Sequence, residues 1–102
     1  MRNVIILHEA AEDIETAREF YDAQDTGVGD CFADSITADI VDLRYLSGIH
    51  AQHFGFFRML ASRFRFGVYY RERGQDTLVV AILDLRRDPK WIRNQLQQRP
   101  QA

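Results

Sequence analysis

The apolar positions of this chain follow two rhythms. From Glu9 to Gln24, Ala10, Ile14, Ala17 and Tyr21 recur at helical spacing, with Phe20 widening the stripe and acids on the other face, which predicts an amphipathic helix. Asp25 to Asp30 (DTGVGD) reads as a turn, and from Asp30 a second stripe of Phe32, Ile36, Ile40, Leu43 and Leu46 runs to a stop at Ser47-Gly48. Two helices joined this closely should form an antiparallel hairpin. Elsewhere the pattern is that of strands. Asn3 to His8 is a short apolar run, and Phe56 to Ala61 is another with Arg58 inside it. Phe64 to Arg71 alternates, sending Phe64, Phe66, Val68 and Tyr70 to one face and Arg65, Gly67, Tyr69 and Arg71 to the other. The second face should be basic and aromatic, with Tyr69 more exposed than Tyr70. After a turn around Gly74, every residue from Thr77 to Leu83 is apolar or β-branched, as in an interior strand covered on both sides.

That last strand gives out over Asp84-Leu85 into Arg86-Arg87. Asp88-Pro89 then reads as a helix start, the carboxylate accepting from free N–H groups and the proline preset at the first helical position. A short helix to about Gln97 follows, and Arg99-Pro100-Gln101-Ala102 reads as a frayed tail, while Ile49 to Phe54 reads as a connector. The expected fold is α+β: an N-terminal strand and an antiparallel helix hairpin packed on a mostly antiparallel four-stranded sheet, with a short C-terminal helix. All of it fits one domain spanning 102 residues.

Charge changes this picture. Residues 1–48 hold eleven acids against Arg2, Arg18 and Arg44, whereas residues 49–102 hold ten basic residues against Glu72, Asp76, Asp84 and Asp88. The two halves can attract one another within the fold, or the basic half can face an acidic partner. Nine of those ten basic residues are arginine, whose planar fork suits carboxylate and phosphate better than lysine does. The acids on the first two helices repel phosphates from that side, so sequence-specific DNA binding by this chain alone is not expected. No apolar run approaches a membrane span, and the start, MRNVIILHEAAED, does not read as a signal peptide, so a cytoplasmic location is expected. Cys31 stands alone and reads as a small buried residue, and His50 and His53 lie in a connector without a third ligand. Neither a metal nor a cofactor is assigned.

The candidate binding residues are Arg58, Arg65, Tyr69, Arg71, Arg86, Arg87, Trp91 and Arg93. Each has a plain alternative. Arg58, Arg65 and Arg71 also fit a solvated sheet face that resists aggregation, one of the Arg86-Arg87 pair can bond Asp84, Asp88 or the acidic helices, and Trp91 can be a plug under the last helix. Tyr69 between arginines would suit stacking on bases.

Two stretches resemble a known family. EAAEDIETAREFYDAQDTGVGDCFADSI is similar to the first helix, Gly-rich turn and second helix of the RelE/ParE superfamily of toxins from bacterial type II toxin–antitoxin pairs. FRMLASRFRFGVYYRERGQDTLVVAILDLRRDPKWIRNQL is similar to that superfamily's sheet and tail, and RFRFGVYYR and LRRDPKW resemble its ParE branch most. The resemblance implies a compact toxin neutralised by an antitoxin that wraps it with a helical or extended tail. For the ParE branch it implies inhibition of DNA gyrase without catalysis. For the RelE branch it implies cleavage of messenger RNA on the ribosome, with Arg65, Arg86 and Arg87 stabilising phosphate. This chain departs from the RelE pattern, since Phe56 to Ala61 lacks lysines and the final helix has Trp91 but no tyrosine. Three readings stay open: a ParE-like toxin, a RelE-like ribonuclease, and a non-toxic member that only binds its partner.

Overall fold

The computed structural model describes residues 1–100, so the expected fraying of Gln101 and Ala102 lies outside the described residues. In chain order the elements are β1 (Asn3–Ile6), α1 (His8–Gln24), α2 (Val28–Val41), α3 (Leu43–Leu46), β2 (Gln52–His53), β3 (Phe56–Leu60), β4 (Phe66–Arg73), β5 (Asp76–Asp84) and α4 (Pro89–Gln97). The five strands form one sheet in the order β1-β5-β4-β3-β2, with β1 parallel to β5 and every other pair antiparallel. This is the expected α+β architecture with one addition. The connector contributes a two-residue strand, because Phe54 and Gly55 both take positive φ (55° and 86°) and turn the chain back through a tight hairpin.

The helix hairpin depends on a close crossing. Asp22 on α1 accepts from the Gly27 and Gly29 N–H groups at 2.9 and 3.1 Å, so one helix caps the N-terminus of the next. A Cβ at Gly29 would lie 2.2 Å from the Arg18 carbonyl oxygen, so only glycine fits there. The second helix breaks at Asp42, and Leu46 is left partly exposed on the one-turn α3 instead of continuing the buried stripe. Cys31 is exposed, contrary to expectation, because it falls on the outer flank of α2, where its neighbours Asp30 and Asp34 are exposed too.

The sheet has a core on each face. On one face Phe32 and Ile36 of α2 pack with Val68, Tyr70, Val79 and Ile82 of the sheet, and Phe32 joins Tyr21 and Phe64 in an aromatic cluster with ring centroids about 5 Å apart. On the opposite face Ile92 and Leu96 of α4 pack on Phe56, Tyr69, Val80, Ala81 and Leu83. A register shift places Tyr69 opposite Ala81 but Tyr70 opposite Val79, leaving Val80 as the extra residue of a bulge. β5 is therefore buried on both faces, as its unbroken apolar run predicts. Burial of this second face also corrects the reading of Tyr69. Its ring is 1% exposed, because α4 closes over the middle of β4 and only the ends of that row, at Arg65 and Arg71, reach toward solvent.

Candidate functional site

The turn after β5 and the start of α4 bring three of the expected residues together. Asp88 accepts from the Lys90 N–H at 2.8 Å and Pro89 follows at the first helical position, so α4 starts where the sequence predicts. Arg86 and Arg87 leave the strand end in different roles. Arg86 folds back on Asp84, its Nε and Nη2 donating to the two carboxylate oxygens at 3.0 and 2.8 Å. Its Nη2 also reaches the Tyr21 hydroxyl at 3.5 Å. This fork holds the Asp84 carboxyl below its ordinary range, with the Arg86 N–H assisting, and raises Arg86 in turn. Arg87 lies over the Trp91 ring, its guanidinium carbon 3.8 Å from the ring centroid, and is exposed. Arg86 is internally matched, and Arg87 carries the outward charge.

These residues border a groove of about 540 Å³ between α1 and α4. Thr16, Ala17, Phe20 and Tyr21 form one wall, Arg87, Trp91 and Gln95 the other, and Phe66, Ile82 and Leu83 the floor. Phe20 stands at its rim with 54% of its surface exposed, a large apolar ring left uncovered. Asp13 and Asp84, each paired with an arginine, also line it, so the groove offers largely apolar walls, two internally matched carboxylates and one cation on an aromatic platform among the described residues. Its residues can grip an apolar side chain and a carboxylate or phosphate close together.

The other candidates lie elsewhere. Arg58 is paired across the ladder with Tyr69 on the α4 side of the sheet, and its shielded Nε has no hydrogen-bond partner among the described residues. Burial pushes the Tyr69 hydroxyl up in pKa while the Arg58 guanidinium beside it works the other way. Arg71 is half-buried, and Arg65 is exposed, with its carbonyl accepting from the Leu85 N–H at 2.9 Å. Arg93 points from the far side of α4 into a smaller cleft of about 380 Å³, which Phe54, Phe56, Leu96 and Gln97 also line. The eight residues therefore do not form one face. Among the described residues, no three His, Cys, Asp or Glu side chains are placed to share a metal, and no helix is long and apolar enough to cross a membrane.

Two residues, one lining the groove and one bonded to its Asp13, escaped the sequence reading. Phe20 had a signal, an aromatic beyond the ideal stripe, but nothing in its spacing says whether the ring is covered. Arg99 had none. Instead of fraying, it reaches back to Asp13 of α1 as a two-pronged pair at 2.6 and 2.9 Å, nearly shielded from solvent.

No family model and no curated protein matches this chain in sequence. A solved structure does match in shape, a chain of the chromosomal ParDE TA system from P. aeruginosa. The two superpose with a TM-score of 0.72 at 15% identity, over 80% of this chain and 94% of the other. That likeness and the topology agree, and this chain has the α+β fold of a chain in a ParDE toxin–antitoxin system.

Proposed function

We propose that this chain is the toxin of a type II toxin–antitoxin pair, of the ParE kind, which arrests growth by engaging DNA gyrase and is silenced by an antitoxin seated in the α1–α4 groove. The observation that carries the reading is the groove itself, with the exposed Phe20 ring on one wall and Arg87 stacked on Trp91 on the other, in a fold shared with a chain of a ParDE system. An antitoxin tail rich in acids and apolar residues matches both features. A ribosome-dependent ribonuclease draws less support. Arg86 is neutralised by Asp84, Tyr69 is buried, and α4 (PKWIRNQLQ) carries no side chain suited to moving a proton near neutral pH.

The test is supercoiling of relaxed plasmid by gyrase with and without the purified chain, scoring lost supercoiling and trapped cleaved DNA. Inhibition with cleaved DNA is the expected result. Full activity of gyrase at a large excess of the chain would remove gyrase as the target, and cleavage of messenger on programmed ribosomes would transfer the assignment to the ribonuclease reading.

A further inference from the structure

β1 ends at Ile6 while β5 continues to Asp84, so the last part of β5 has a backbone edge with no strand beside it among the described residues. The last backbone bond across is Leu7 N–H to the Val79 carbonyl at 3.0 Å. Beyond it two side chains take over. Arg99 Nη1 donates to the Val80 carbonyl at 3.1 Å, and Asp13 Oδ2 accepts from the Ile82 N–H at 2.9 Å. A residue of a parallel strand presents one donor and one acceptor to an edge in just this way, bonding the carbonyl of one residue and the N–H two residues on. The ion pair stands in for one residue of a missing strand.

One step further along, no side chain among the described residues fills that role. Leu85 N–H bonds toward β4, at the Arg65 carbonyl, so the alternation of the strand turns the Ile82 carbonyl and the Asp84 N–H the other way, into the α1–α4 groove. The positions already occupied also decide which strand direction fits. An antiparallel neighbour would exchange both bonds with a single residue, but the Ile82 N–H is held by Asp13, and the Asp84 carbonyl accepts from the Arg87 N–H at 3.2 Å. A parallel neighbour needs only the Ile82 carbonyl and the Asp84 N–H, and those two face the groove.

We propose that the groove takes an extended segment of a partner protein as an added strand parallel to β5, and that the Asp13–Arg99 pair is a latch that this strand displaces as it lengthens toward β1. The inference rests on the antitoxin reading for the partner's identity, and it adds the partner's conformation and chemistry. From Val80 to Asp84 the edge is about 13 Å long at ~3.4 Å per residue, room for four or five residues. Side chains of the added strand alternate between Phe20 on the α1 side and Trp91 on the α4 side, so apolar residues serve at both. An acid at the outer end meets Arg87, whose exposed guanidinium lies over the Trp91 ring. The segment is therefore short, extended, apolar and acidic.

The test uses the full chain, isotopically labelled, and a capped pentapeptide of four valines followed by a C-terminal glutamate. Binding should shift the Ile82 and Asp84 amide signals and slow exchange of the Asp84 amide. N-methylation of the peptide's central residue should weaken binding about tenfold by deleting one edge bond, and the double variant Asp13→Ala with Arg99→Ala should tighten it about tenfold by freeing two more. Equal binding of the N-methylated peptide, or an unperturbed Asp84 amide at saturating peptide, overturns the proposal. The peptide experiment needs only the native chain, so poor folding of the double variant does not blunt it. A chain that inhibits gyrase but leaves Asp84 untouched by peptide keeps the proposed function and loses the strand. The converse result keeps the strand and loses gyrase.

Discussion

Gly29→Ala sets two physical effects against each other with opposite signs. Gly29 lies in the first turn of α2 with helical backbone, so intrinsic propensity favours alanine by about 1 kcal/mol. The helix crossing says otherwise. The new Cβ would sit 2.2 Å from the Arg18 carbonyl oxygen and 3.0 Å from Arg18 Cγ and Asp22 Cβ. Carbon and oxygen in ordinary contact are about 3.3 Å apart, so α1 and α2 must separate by about 1 Å. The obstructing atom is backbone and cannot swing aside. Separation also pulls Asp22 from the Gly27 and Gly29 N–H groups, a cap worth about 1 kcal/mol, and loosens the packing of Tyr21 on Phe32, for which overpacking costs of about 1–3 kcal/mol apply. The net expectation is a loss of about 2 kcal/mol. For a domain of this size that lowers Tm by about 10 °C. Urea and thermal unfolding followed by circular dichroism measure it directly. Gly27→Ala is the control, since a Cβ there meets nothing within 4 Å and costs only the left-handed backbone at φ 92°, about 1 kcal/mol. Equal or greater stability of Gly29→Ala relative to the parent would refute the crossing argument and leave propensity in command.

Tyr70→Phe should destabilise by about 1–3 kcal/mol, seen as a lower urea midpoint at unchanged slope, because the buried hydroxyl accepts from the Gly48 N–H at 2.9 Å and bonds His50 Nδ1 at 2.5 Å. Asp84 predicts an acid-side effect: Arg86 depresses its folded pKa, so its contribution is present above the unfolded value and fades as pH falls below about 4. Asp84→Asn should flatten that limb of the stability profile, and an unchanged limb would show that the pair contributes nothing. Arg87→Ala should leave the melting curve within about 0.5 kcal/mol of the parent, as suits an exposed side chain, while abolishing growth arrest or antitoxin capture in co-expression; retention of both would remove Arg87 from the interface.

Local order was legible in the residues themselves. Periodicity marked α1, the aliphatic run from Thr77 to Leu83 marked a strand buried on both faces, and Asp88-Pro89 marked the start of α4, because each depends on neighbours close in sequence. Even the internal pairing of one arginine at the turn was within reach, since Asp84 and Arg86 lie two residues apart. What covers a face is a different kind of fact. The alternation of β4 correctly separated Tyr69 from Tyr70, yet whether the Tyr69 side met solvent depended on where α4 docked, and α4 lies over twenty residues further along the chain. Arg99 gave no local sign that it would meet Asp13 across 86 positions, nor that the pair would fill the place a longer β1 would have taken. Short-range pattern set the elements and their polar sides. Only the packed fold decided which polar groups were matched and which edge of β5 was left without a strand, because burial and pairing are properties of surfaces brought together after the elements have formed.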